Sequence, residues 1–278
     1  MELASALGAE LLVRVTETVV SNDPEEVGAH VRKELGIDLE TQFSWTSDYQ
    51  ALAAWRKAVE QRGVLVFQVT VPLLEARAFS LAEEGSNLVV LNASDSPRGR
   101  IFSLLHEYGH LSLHSSGICD MGRIDDTTDE IREIEKFCNH LAGAVLVPPE
   151  ALIKHELVTT HENRSDWPDR ILGQLAGLFS VSQEVILRRL LILDKSTKDF
   201  YEKKRQEWKD RYRQRRTRKG GGKVNPPQKC ISENGRRFVS LVLDTYNSGK
   251  ITSSDVADYL GVRLRHLPTI TQMLRQGA

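Results

Sequence analysis

The chain has 278 residues and a mass of 31.3 kDa, with 40% hydrophobic and 27% charged residues and a net charge of −1. That length carries one large domain or two modest ones with a buried core, and that composition excludes wholesale disorder and a membrane-spanning chain. The longest apolar runs, such as 63–67 and 88–91, are far too short to cross a bilayer, so no membrane association is expected. The N-terminus shows no basic region followed by an apolar one, and the expected location is cytoplasmic. Cys119, Cys138 and Cys230 lie far apart, which suits a reducing compartment and offers no paired thiolates for a zinc knuckle. The charge is uneven: residues 198–223 carry 12 Lys/Arg against 4 Asp/Glu, leaving −9 for the rest.

Residues 2–40 read as helical, with an apolar stripe through Leu11, Leu12 and Val15 and a cap at Asn22-Asp23-Pro24-Glu25. Tyr49, Leu52, Ala53, Trp55, Arg56 and Val59 recur at helical spacing until Gly63, and the β-branched run Val64–Val69 is a strand. Ala78–Leu81 and Leu88–Asn92, joined by a turn at 84–87, form a hairpin in the same sheet. A helix begins after Asp95-Ser96-Pro97 and runs to about His114; another spans Asp129 to Val147 and stops at Pro148-Pro149. The remainder reads as helical. Leu175-Ala176 to Val181 and Val256-Ala257 to Val262 share a helix-turn-helix cadence, which also arises between ordinary packed helices. The expected architecture is 1–48, an N-terminal helical segment; 49–195, the main domain; 196–224, a basic helix and flexible Gly-rich linker; and 225–278, a small helical domain.

The chemistry concentrates at His106-Glu107-Tyr108-Gly109-His110. On a helix, residues four apart share a face, so two imidazoles can converge on one metal, with Glu107 beside them as general base. A structural alternative is a hydrogen-bonded His pair in the core, but a buried Glu between two His would be costly without a task. A third ligand is needed. His114 continues the stripe, yet it lies about 12 Å along the helix axis from His106, so it is expected in the second shell or at the surface. Glu130, Glu133 and Glu135 on the next helix leave the identity of a carboxylate ligand open. Two His and one Glu suit Zn2+, and Mn2+ as well. Asn139 shares a face with Glu135 and is expected to orient a ligand. His140, His155 and His161 lie close in sequence and are minor candidates for an oxyanion donor. Tyr108 faces away from the His pair, as core packing, and Cys119 and Cys138 read as inert thiols ahead of redox sensors.

His106-Glu107-x-x-His110 followed by Glu135-x-x-Cys138-Asn139-x-Leu141-Ala142-Gly143-x-Val145-Leu146-Val147-Pro148 resembles the ImmA/IrrE metallopeptidases. Their second motif runs Glu-x-x-Ala-Asn-x-Phe-Ala-Ala-x-Leu-Leu-Met-Pro. Cys138, Leu141 and Gly143 depart from it and leave the ligand positions intact. Trp55-Arg56, the strand Leu88–Asn92 and Arg100-Ile101-Phe102 extend the likeness over about residues 50–195. The resemblance implies an α+β zincin-like domain with a small mixed sheet, Glu135 as third zinc ligand, and cleavage of a helix-turn-helix repressor or antitoxin as substrate. The strand Leu88–Leu91, if it lies at a sheet edge, is expected to hold an extended peptide beside the metal. The rival reading is a non-catalytic protein of a toxin–antitoxin pair, binding a toxin or regulating transcription through a structural or vestigial zinc site. For residues 198–223, with Phe200, Tyr201, Trp208 and Tyr212 interleaved, nucleic-acid contact is the less favoured reading and a solvated helix packed on the body the favoured one.

Overall fold

The computed structural model describes residues 15–72, 76–83, 86–114, 117–119, 128–161, 163–215 and 225–276. The leading part of the expected first helix, 2–14, lies outside them, and 15–23 is not helical. Helix α1 (Pro24–Leu35) starts where Asp23 accepts from the Glu25 N–H with Pro24 in the first turn, and it ends at Gly36 in the left-handed conformation. Helices α2 (Leu39–Phe43) and α3 (Asp48–Gln61) follow. α3 buries Leu52, Trp55, Arg56 and Val59, whereas Tyr49 and Ala53 of the expected stripe face outward. The Tyr49 ring instead lies 5.9 Å from the Arg100 guanidinium.

Strands β1 (Val64–Val69), β2 (Ala78–Glu83), β3 (Ser86–Asn92) and β4 (Gly117–Cys119) form one mixed sheet in the order β1-β3-β2-β4. β3 pairs in parallel with β1, Leu65 opposite Leu88, and antiparallel with β2, Ala78 opposite Leu91. It therefore has no free edge, and the expected strand addition at Leu88–Leu91 is corrected: both backbone sides of β3 are already paired. Helix α4 (Pro97–Ser112), capped by the Ser96 hydroxyl, lies over β2 and β3 and packs on α5 (Asp129–Leu146). After α5 the chain restarts at Pro149 in the short α6 (Pro149–Ile153), because Pro is well suited to a first helical turn. Then come α7 (Glu156–Thr159), α8 (Asp169–Leu178), α9 (Gln183–Ile192), α10 (Lys198–Arg215), α11 (Pro226–Asn234), α12 (Arg236–Asn247), α13 (Ser253–Leu260), a 3-10 turn (Leu264–His266) and α14 (Leu267–Gln276).

The described residues build two hydrophobic cores. One runs from Val31 to Tyr201 and so includes α1 and the start of α10; the other comprises Cys230, Val239, Val242, Leu243, Val256, Leu260 and Ile270. The second unit sits against β1. Arg56 Nη1 and Gln68 Nε2 donate to the Ser232 carbonyl at 2.5 and 2.7 Å, Arg237 reaches the Glu60 carbonyl, and Phe67 meets Phe238 edge to face at 5.2 Å. Gly235, at φ 82°, permits this approach: a Cβ there would lie 2.6 Å from the Val66 carbonyl oxygen. Along α10, Lys204 and Arg211 pair with Asp169, Arg205 pairs with Glu184, and Phe200 and Trp208 pack on the first core. No helix among the described residues is long and apolar enough to cross a membrane.

The first core is tied across its helices by an ion pair between a buried guanidinium and a half-buried carboxylate. Arg189 of α9, 1% exposed, grips Glu25 of α1 with both terminal nitrogens at 2.5 and 2.8 Å and donates Nε to the Val147 carbonyl. His140 lies 2.6 Å from the same carboxylate. Burial raises the Glu25 pKa, but the hydrogen bonds of His140 and Arg189 outweigh it and hold the carboxyl at about 2, against an ordinary 4.5. Its stabilising contribution is therefore present above pH 4.5 and lost as pH falls towards 2. Glu25→Gln should cost about 3 kcal/mol in urea unfolding near neutrality, since it strands a buried guanidinium, and the deficit should shrink as unfolding is repeated at pH values below 4. A variant as stable as wild type at neutral pH would contradict this.

Candidate metal centre

Helix α4 carries His106, Glu107 and His110 into the interior, where they are 1%, 0% and 3% exposed. The i, i+4 spacing stacks the two imidazoles on one face. The Glu135 side chain enters from α5 and closes the group: His106 Nε2 lies 3.3 Å from Glu135 Oε2, His110 Nε2 3.1 Å from Glu135 Oε1, and the two Nε2 atoms 3.2 Å apart. These are the His-His-Glu atoms that could hold a metal ion. Around a tetrahedral zinc with bonds of about 2.0–2.1 Å, neighbouring ligand atoms stand about 3.3 Å apart, so the spacing fits. The donor chemistry fits too: lone-pair-bearing atoms from three side chains are aimed at one point, an arrangement that a cation resolves and an uncharged core does not.

Two features hold this geometry. Gly109 faces α5, and a Cβ there would meet Cys138 Sγ at 3.1 Å and Cys138 Cα at 3.3 Å, so the absent side chain lets the helices approach beside the ligands. Phe102 stacks near the His106 ring, with centroids 6.3 Å apart. Burial of Glu135 opposes its ionisation, yet hydrogen bonds from His106 and His110 prevail and hold it at about 2. Glu130 is exposed and Glu133 pairs with Lys136, so Glu135 is the carboxylate of the three that reaches the histidines.

Glu107 lies beside the ligand set. Burial raises its pKa, against the opposing influence of His106, of a hydrogen bond from Ser80 and of His110. Ser80 Oγ donates to Oε2 at 2.7 Å, while Oε1 is buried without a hydrogen-bond partner among the described residues. Ser80 escaped the sequence reading. The available signal was the alternation of β2, in which Ala78 and Ser80 are buried and Phe79 and Leu81 lie on the other face. Small residues on the inward face are what a helix packed closely on a strand requires.

Other expected residues lie elsewhere. Of the two places expected for His114 it takes the surface and not one behind the ligands: α4 ends at Ser112, His114 turns out at φ 51°, and its ring is 66% exposed beside Glu17. Asn139 donates to the Glu135 backbone carbonyl at 2.7 Å, bracing the helix turn and not a ligand carboxylate or imidazole. His140 is engaged with Glu25, His155 accepts from the Leu157 N–H at the start of α7, and His161 packs on Trp167. Tyr108 and Cys138 are both buried in the core. A cavity of about 310 Å³ is bordered by Phe102, Asn139, Arg77, Val185 and Trp208 among others, and by none of His106, Glu107, His110 and Glu135.

Chelation of divalent ions should lower the melting temperature, and restoring zinc should raise it; at a thousandfold excess over Kd the gain is about 4 kcal/mol, or roughly 8–16 °C for a protein of this size. His106→Ala should abolish the response, and a response that survives it would place the ion elsewhere. Gly109→Val should separate α4 from α5, costing about 1–3 kcal/mol and most of the bound metal, read by unfolding and metal analysis.

The comparison with curated proteins gave no match. Residues 59–191, which contain His106, Glu107, His110 and Glu135, match the family model described as the IrrE N-terminal-like domain of peptidase M78, a generally metal-dependent family. This stretch of the chain is a peptidase domain of the ImmA/IrrE family.

Proposed function

We propose that the protein is a zinc-dependent endopeptidase of the gluzincin type that cuts a cytosolic DNA-binding repressor or antitoxin-type regulator and thereby relieves repression. The observation that carries this reading is the convergence of His106, His110 and Glu135 with the unpartnered Glu107 Oε1 beside them. His106, His110 and Glu135 hold the ion; Mn2+ also suits this donor set. A divalent ion bound there supplies Lewis acidity, activating water and polarising the scissile carbonyl. Glu107 accepts a proton from the attacking water on Oε1 and returns it to the departing amine nitrogen as the C–N bond breaks. Burial supports that exchange, because a raised pKa makes the carboxylate a stronger base towards the attacking water. Ser80 keeps Oε2 engaged and so presents Oε1 to the reaction.

The regulator as substrate is proposed from the likeness of the two motifs to the ImmA/IrrE peptidases, and a free buried thiol at Cys230 accords with a reducing cytoplasm. The test is incubation with the helix-turn-helix regulator encoded beside this gene, with added zinc, read by intact mass. Wild type should make a single cut. Glu107→Gln should bind the same zinc and make none, and Ser80→Ala should keep its zinc and cut about tenfold more slowly, as loss of a ~1.5 kcal/mol hydrogen bond to a charged group implies. Cleavage retained by Glu107→Gln would overturn the assignment; binding without cleavage at full zinc occupancy would favour a toxin–antitoxin or regulatory binding protein.

A further inference from the structure

Two stretches share the Ala-to-Val spacing of five, and the fold treats them differently. In the first, Ser180 makes the left-handed turn between α8 and α9, at φ 55°. The second helix of that pair is occupied: Arg189 is buried on Glu25, Arg188 faces Glu184 and Tyr201, and α10 packs alongside. It cannot enter a groove.

In the second stretch Gly261 makes the turn at φ 62° after α13. Val256, Leu260 and Ile270 are buried, and Val262 and Leu267 pack on the same core. α13 begins at a reciprocal cap between Thr252 and Asp255, and Arg236 donates to the Met273 and Leu274 carbonyls, fixing the far end of α14. The apolar positions face inward onto α12 and its neighbours, which leaves Arg263, Arg265, Thr269, Gln272 and Arg275 exposed along the turn and α14. None of the three arginines makes an ion pair among the described residues, whereas the described basic side chains of α10 named above face carboxylates. Residues 225–276 hold seven Lys/Arg against four Asp/Glu, and they follow the basic stretch 198–223.

We infer that α13, the turn and α14 form a helix-turn-helix that reads duplex DNA through Arg263, Arg265, Thr269, Gln272 and Arg275. Phosphates need unpaired cations, and these arginines supply them at both ends of the exposed face. Base edges in the major groove are read by Arg on guanine, Gln on adenine and Thr against the thymine methyl, and residues 265–272 span about 10 Å, close to the groove width of about 12 Å. The inference does not rest on the peptidase reading, since no residue of the metal centre takes part.

The test uses the full chain in selection from a pool of random-sequence duplexes, followed by binding titrations at several salt concentrations. Wild type should enrich one sequence motif. The Arg263→Ala, Arg265→Ala, Arg275→Ala triple variant should bind every duplex at least ~10-fold more weakly, with a log–log salt slope smaller by about 2–3. Thr269→Ala with Gln272→Ala should bind random duplex as wild type does and lose the preference for the selected motif. Melting curves matching wild type establish that these surface variants fold. Absence of an enriched motif, an unchanged slope in the triple variant, or tighter binding to single-stranded RNA than to duplex would each overturn the inference.

Discussion

The contact on which the centre depends is the approach of α4 to α5 at Gly109 and Cys138. Two histidines on one helix define a face but not a site; a third donor must come from another element and arrive within about 3 Å of both. The missing Cβ at Gly109 lets the α5 backbone pass close enough for the Glu135 carboxylate to reach both Nε2 atoms. The approach is reinforced away from the centre, where Gly28 brings α1 against Ala144 of α5 and the Arg189–Glu25 pair ties α1 to α9. α5 is thus held on two sides, and Glu135 is positioned by packing more than by its own attraction to the histidines.

The sheet serves the same helix from the other side. β2 turns its small residues towards α4, and Ser80 thereby meets Glu107. β3, immediately before α4 in the chain, lies inside the sheet, so its role is to aim that helix and not to hold a peptide. At the far edge the side of β1 that has no neighbouring strand is met by a guanidinium: Arg56 donates to the Val66 carbonyl and also to Ser232, joining the edge strand to the C-terminal helices. That contact gives the second hydrophobic core a fixed seat and leaves the outer side of α14 open.

Much of this was legible in order along the chain. The cap at Asp23-Pro24, the strand after Gly63, the hairpin, the helix after Ser96-Pro97 and the stop at Pro148 are local signals, set by capping, β-branching and the missing Pro N–H, and the structure contains each. His106, Glu107 and His110 were legible for the same reason, since helical periodicity alone brings the imidazoles together. Glu135 was harder. Residue chemistry left three glutamates open, and only the family likeness singled one out, because the relation between α4 and α5 is a tertiary fact. Helix spacing left His114 between two places, which the path of the chain after Ser112 resolves to the surface, and it misjudged Asn139, whose amide points to the Glu135 backbone carbonyl.

By itself the sequence determined the element types, the metal-binding chemistry and the peptidase family likeness, because each is written in residues a few positions apart or in a contiguous motif. Tertiary structure alone decided that β3 has no free edge, that Ser80 serves Glu107, and that Arg189 is buried beneath one helix-turn-helix cadence while the other stays open. Each of these depends on which faces meet across more than about 20 residues of chain, and no local periodicity encodes that meeting.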